Sequence, residues 1–265
     1  MTSQIREYWE QRAAENRQSP TATTSDIHLR RLEIRTLLAT IRGLGAAPAT
    51  LLDAGCGDGY STVEVARGLP GTRVLGVDYA EAMVESARAR LADDADLASR
   101  VAFRVGDVGA LGASCGDERF DVVTTDRVLI NLDSEEAQAR AIGEIARHVR
   151  PGGHYVAIEN FLEGQEGMNA ARAAVGLPPI PVRWHNRFFT EPQFRAAAAP
   201  YFDVVRFEEF SSAYYYATRV IYSAMCRMRG EEPDYDHEIH RLAVDLPPVG
   251  QFSPIRLAVL RRAAE

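Results

Sequence analysis

Residues 51–61 read LLDAGCGDGYS. An apolar run enters Asp53-x-Gly55-x-Gly57-x-Gly59 and leaves through STVEVARGL, which is how a buried strand that turns sharply into a helix is written. Glycine accepts the left-handed backbone of such a turn, and its missing side chain lets a ligand lie against the main chain. A nicotinamide-binding turn spaces its glycines G-x-G-x-x-G, but here Tyr60 stands where the third would be, so a dinucleotide oxidoreductase loses ground. Taken alone, the turn is equally a plain strand-to-helix connection, and its surroundings have to decide.

Outward from it, short apolar runs alternate with helical ones. TRVLGVD precedes AEAMVESARARLA, SRVAFRVGD follows, RFDVVTTD precedes EEAQARAIGEIARHV, and GGHYVAIEN comes next. That alternation predicts crossover units and a parallel sheet with helices on both faces. Before it, residues 1–18 carry Ile5, Tyr8, Trp9 and Arg12 at helical spacing, and after a polar SPTATTSD stretch Asp26 is placed to cap a second helix ending at Gly43 to Gly45. After it, Phe161 to Thr190 breaks into Gly, Pro and mixed residues and reads as a covering segment over the sheet's carboxyl edge. FDVVRFEEF and SPIRLAVLRRA are late strands, separated by a helix SAYYYATRVIYSAMCRMR and an acidic loop GEEPDYDHE. The division expected is an N-terminal helical lid over 1–45, an α/β core over 46–160, and a cover with the final strands over 161–265.

The net charge of −7, with 46% hydrophobic and 25% charged residues, describes an ordinary globular chain. Its basic residues are all arginine, which excludes a lysine Schiff base or a phosphate-loop lysine. No stretch approaches the roughly 20 apolar residues of a membrane span, and MTSQIREYWEQRAAENRQ has no apolar signal core. Cys56, Cys115 and Cys226 lack the spacing of a disulfide framework or a thiolate zinc site. The absence of a basic run argues against nucleic acid. The expectation is a cytoplasmic protein without a metal, partnered by a small molecule.

Asp78 ends the second strand beside the glycine turn, where two carboxylate oxygens suit the two hydroxyls of a ribose. Asp107 ends the third, where an acceptor atom could take an adenine amine proton while Val108 lies on the ring. Each alone would pass for a helix cap; three acids in register with three successive strands favour ligand binding.

LLDAGCGDG, GVDYAEAM, RVGDV, FDVVTTDRVLINL and RHVRPGGHYVAIEN, in that order over about residues 50 to 160, resemble the motifs of the class I S-adenosylmethionine-dependent methyltransferases. The resemblance implies a Rossmann-like, doubly wound, mostly parallel sheet of seven strands, the last inserted antiparallel. It implies that Gly55, Gly57 and Gly59 approach the methionine part of S-adenosylmethionine, with Asp53 near its ammonium. Asp78 would bind the ribose, Tyr79 and Met83 would lie close by, Asp107 and Val108 would bind adenine, and Asp126 would also border the cofactor. YWEQRA resembles segments folded over the cofactor in many such enzymes, with Tyr8 and Trp9 as a lid and Arg12 reaching the methionine carboxylate; an amphipathic helix docked by its aromatics is the equal alternative. GMNAARAAVGLPPIPVRWHN and YYYATRVIY are similar to a subgroup acting on small molecules.

Methyl transfer is an in-line displacement in which positioning and exclusion of water can supply most of the catalysis. A hydroxyl acceptor needs a base, whereas an amine needs only to be held neutral. Strand carboxyl ends and the cover therefore supply the candidates: Arg127 and Glu159 as catalytic groups, or else a partner for a nearby acid and a cap; Asn131 and Asn160 as acceptor contacts; and Trp184, His185 and Asn186 from the cover, with His185 as general base or else a buried structural histidine. His28, His148 and His240 read as surface residues on helices. Tyr214 and Tyr215, with Glu208 and Glu209 before them, suit a cationic acceptor, so the sequence leans to nitrogen methylation of an amine or guanidine, with oxygen methylation through His185 close behind. An aminopropyltransferase, which would not need Arg12 as a carboxylate partner, and a non-catalytic cofactor-binding module are the other classes. The face of the 213–229 helix suits either the sheet or a second copy, which leaves a homodimer open.

Overall fold

The computed structural model describes residues 3–15 and 24–264 of the 265-residue chain. Seven strands, β1 Thr50–Ala54, β2 Arg73–Asp78, β3 Val101–Val105, β4 Phe120–Asp126, β5 Val149–Asn160, β6 Phe202–Glu208 and β7 Ile255–Arg262, form one sheet in the order β3-β2-β1-β4-β5-β7-β6. The first five are parallel; β7 lies antiparallel between β5 and β6. This is the Rossmann-like sheet anticipated, with the strand order reversing at β1 and β4. A crevice opens at such a reversal, outside the strands' carboxyl ends.

Both faces are buried, which explains the nearly continuous apolar strands. Leu52 and Ala54 pack toward α7 (Glu135–His148), while Leu51 faces the opposite layer with α2 (Ile27–Gly43) and α3 (Tyr60–Gly68). Asp26 caps α2 as expected, accepting from Leu29 N at 3.0 Å. α1 (Ser3–Glu15) is helical within the predicted 1–18; its last three predicted residues, and 19–23 of the polar stretch, lie outside the described residues. Helices α4 (Glu81–Ala89), α5 (Ala95–Arg100) and α6 (Gly112–Cys115) complete the first half.

The cover departs from its expectation. Half of it is a helix, α8 (Leu162–Ala174), and a second helix, α9 (Glu191–Ala198), follows it. Gly164 and Gly167, which read as breakers, are contact glycines: a Cβ on either would run into the backbone carbonyls of Ser253 and Gln251. Close packing of helix on chain has overridden glycine's low helix propensity. The expected helix over 212–229 is α10 (Ser212–Tyr215) and α11 (Ser223–Arg229) joined by a π-helical stretch, Tyr216–Tyr222, and α12 (Glu238–Ala243) ends the acidic loop. His148 and His240 are buried, contrary to their reading as surface residues. His148 Nδ1 lies 2.8 Å from Glu118 O, and His240 Nδ1 lies 2.9 Å from Tyr214 Oη.

Candidate functional site

The glycine turn is laced to β2. Gly55 N and Cys56 N donate to Val77 O at 2.7 and 3.0 Å, and Gly57 N donates to Asp78 Oδ2 at 2.9 Å. Asp78 Oδ1 takes Ala80 N at 3.0 Å. Gly55, Gly57 and Gly59 have φ of +87°, +52° and +74°, a region where a side chain is strained. Asp53 is clamped from both sides by hydroxyls, with Thr62 Oγ1 at 2.5 Å and Thr124 Oγ1 at 3.2 Å. Burial pushes its carboxyl up to about 6, against the pull of those bonds.

A cavity of about 420 Å³ opens before these strand ends. Gly55, Gly57, Asp53, Asp78, Tyr79 and Met83 border one half, with Gly106 and Val108 from the end of β3. Trp9 and Arg12 of α1 border it from above. Asp126, Arg127, Asn131 and Asn160 continue the wall past β4 and β5, and His185, Asn186 and Tyr215 complete it. The structure thus brings most of the sequence candidates to one cavity.

Six candidates stand behind the wall instead. Gly59 faces α4, where a Cβ would meet Ala87 Cβ at 2.6 Å. Asp107 caps the following turn through Gly109 N at 2.8 Å and faces Arg6 at 3.7 Å, leaving Gly106 and Val108 on the wall. Tyr214 gives its hydroxyl to Asp26 Oδ1 at 2.7 Å. Trp184 is 60% exposed, outside the cavity, and Tyr8 meets the site through Trp9 and His185. Glu159 is fully buried beneath the wall, its Oε1 accepting Val128 N and Leu129 N at 3.3 and 3.1 Å.

Burial holds the Glu159 carboxyl up to about 7, against an ordinary 4.5. Folded protein therefore keeps this proton between those values while unfolded chain releases it, so its contribution to stability falls as pH rises through that window and is flat above. Glu159→Gln, which keeps an acceptor for both amides, is expected to remove that slope of about 1.4 kcal/mol per pH unit while retaining activity. Denaturant unfolding at pH 5 and 7 reads the first, and an activity loss in a folded variant restores a catalytic Glu159.

His185 sits in an aromatic box. Tyr8 stacks on it at 4.6 Å and 25°, while Trp9 and Trp184 meet it edgewise at 5.9 and 5.2 Å. It is only 5% exposed, lines the cavity, and its Nδ1 has no hydrogen-bond partner. Burial, then the charge of Arg183, lowers its proton affinity, which keeps the ring neutral at pH 7. Trp9 Nε1 also donates to Asn131 Oδ1 at 3.2 Å, tying α1 to the loop after β4. Trp9→Phe removes that bond and keeps an aromatic ring toward Tyr8 and His185. It is expected to release about 1 kcal/mol, read as roughly fivefold faster amide exchange across α1.

Sequence reading missed the wall formed by α2 and the π-helical stretch. Asp26, read only as a cap, pairs with Arg219 at 2.5 Å, and Arg30 pairs with Asp58 at 2.8 Å. Arg127, at φ +54°, faces the buried Glu33 at 3.1 Å and Asp126 at 3.5 Å. Burial raises both carboxyls while the guanidinium draws them down. A buried Glu33 within an amphipathic helix was the available signal, because such a charge needs a partner.

The donor set fits S-adenosylmethionine: a turn whose left-handed glycines Gly55 and Gly57 bring bare backbone to the cavity, a half-buried carboxylate at the end of β2, an apolar Met83 and Val108, and a buried Asn160 whose Oδ1 has no partner. A family model described as a methyltransferase domain matches residues 47–169. The chain is 34% identical over 111 residues to a demethylmenaquinone methyltransferase of Lactococcus lactis, covering 42% of this chain and 41% of that one. It is 34% identical over 117 residues to a malonyl-[acyl-carrier protein] O-methyltransferase of Methylococcus capsulatus, covering 44% and 39%. The magnesium protoporphyrin IX methyltransferase of Synechocystis with bound SAH shares the fold over 98% of this chain and 99% of that one, at TM-score 0.65 and 16% identity. Residues 47–169 thus match a methyltransferase domain, and the sheet has the fold of a solved methyltransferase with bound SAH. The matches span 31% to 42% of the length of the curated relatives named above and their like.

Proposed function

We propose that the protein transfers a methyl group from S-adenosylmethionine to a hydroxyl of a small polar molecule, with His185 as general base. The observation that carries this reading is the His185 ring bordering the cavity, stacked on Tyr8 and with its Nδ1 unpartnered. When bound, S-adenosylmethionine supplies an electrophilic methyl group on a sulfonium centre. The chain's residues do the rest. Gly55 and Gly57 admit the cofactor against the backbone, Asp78 accepts ribose hydroxyls, and Val108 and Met83 give adenine an apolar seat. Trp9 and Arg12 close the site from above and exclude water. Asn131, Asn160 and Asn186 orient the acceptor, and His185 takes its proton. In this reading Arg127 and Glu159 shape the wall and move no proton.

Nitrogen methylation has less support, because Tyr214 points to Asp26, Glu208 pairs with Arg206, and Glu209 pairs with Arg256 at 2.6 Å. The deciding experiment incubates the protein with methyl-labelled S-adenosylmethionine and a panel of phenols, hydroxy acids, sugars, amines and guanidines, with mass spectrometry of the products. A labelled oxygen product is expected. A labelled nitrogen product overturns the choice of acceptor atom, and no cofactor binding overturns the reading altogether.

A further inference from the structure

The acceptor half of the cavity carries more positive charge than its acids neutralise. Arg30, Arg127, Arg183 and Arg219 all border it. Arg219 is matched by Asp26. Arg30 and Arg90 share Asp58, whereas Arg127 faces both Glu33 and Asp126, so those two groups balance one another. One of the four, Arg183, remains, and a second guanidinium without a carboxylate, Arg172, comes from the same cover but does not line the cavity. Arg172, 7% exposed, gives its donors to the carbonyls of Pro178 and Arg219 and meets no carboxylate. Arg183, at the mouth, makes no side-chain hydrogen bond or ion pair among the described residues. A local positive excess inside a chain of net charge −7 is a feature of the site, not of the composition.

We infer that the acceptor is an acid: a small hydroxy compound whose carboxylate is held by Arg183 at the cover end of the cavity. The inference rests on this cavity being the methyl-acceptor site. A guanidinium presents a planar fork that matches a carboxylate with two parallel hydrogen bonds, and its charge disfavours an amine. Arg183 has a further effect. Its charge disfavours the protonated form of His185, and a carboxylate seated on it offsets that charge. The base therefore strengthens when an acid acceptor binds and not when a neutral one does.

The test titrates 3-hydroxybenzoate, 3-hydroxybenzamide and 3-hydroxybenzylamine into the full chain by calorimetry, after S-adenosylhomocysteine has been titrated alone and then held at saturation. The benzoate is expected to bind at least tenfold more tightly than the other two. That preference disappears in Arg183→Gln and returns in Arg183→Lys; the side chain is exposed and makes no bond, so folding is not at stake. Equal or tighter binding of the amide or amine, a benzoate affinity unchanged in Arg183→Gln, or no benzoate binding at millimolar concentration overturns the inference. Failure of S-adenosylhomocysteine to bind, with the benzoate preference intact, strikes the methyl-transfer reading alone.

Discussion

His185→Gln is expected to lower turnover of a hydroxyl acceptor by roughly 10² to 10⁴-fold, the usual weight of a positioned base, while cofactor affinity stays at the wild-type level. The expectation follows from what surrounds the ring. Tyr8, Trp9 and Trp184 hold it by stacking and edge contacts that a glutamine partly refills, so a folded variant without a base is attainable. A thermal melt establishes that folding survives. The pH profile gives a second reading. A base must be unprotonated to act, and burial together with Arg183 lowers the proton affinity of this one. The acid limb of kcat/KM should therefore break below the ordinary 6.5 and be flat at neutral pH. A break above that value, or full turnover in the glutamine variant, removes His185 from the chemistry and leaves it as packing between lid and cover.

The sheet was legible because its signals are local and repeated. Leu51, Leu52, Val74, Leu75 and Val77 alternate faces in short runs, and each run ends where Gly, Asp or Asn marks a turn. The cofactor half of the cavity was legible for a related reason. Asp53, Asp78 and Gly55 sit at strand ends, and parallel pairing of β1 with β2 brings those ends together without any long-range guess. The other half draws on segments far apart in the chain. Asp26, Arg219, Tyr214 and His240 meet only because α2, the π-helical stretch and α12 pack on one another, and no periodicity announces that. Two signals were present and went unread. Thr190-Glu-Pro-Gln193 is a capping box with proline in the first turn, and the structure starts α9 there. Tyr60 was read only as a lost glycine, yet its ring lies under Arg30 at 4.6 Å and Arg90 at 5.5 Å, holding the helix start against the Asp58 ion pairs. The run of tyrosines misled because one helix cannot turn them all inward. Tyr214 goes to the core, Tyr215 to the cavity and Tyr216 to the surface.

Gly55→Ala should abolish measurable binding of S-adenosylhomocysteine and lower folding stability by about 2–3 kcal/mol. Two costs combine. At φ +87° an L-residue is strained by about 1–2 kcal/mol, and the new methyl would fall 2.6 Å from Val128 Cγ1 and nearer still to Cγ2. Val128 cannot move aside cheaply, since its amide is held by the buried Glu159 and its neighbour Leu129 is anchored in the same way. Relief must come from the turn, and the turn carries Gly57, whose amide fixes Asp78. The clash and the ligand site are thereby linked through a single short loop. Gly55→Ala with Val128→Ala separates the two costs: removing the valine methyls should recover the clash part of the stability loss, read by denaturant unfolding, and leave the backbone part. Cofactor affinity should recover only as far as the turn relaxes. Wild-type affinity in the single Gly55→Ala variant would mean that the cofactor does not lie against this turn, and the assignment of the glycine loop as its cradle would fall with it.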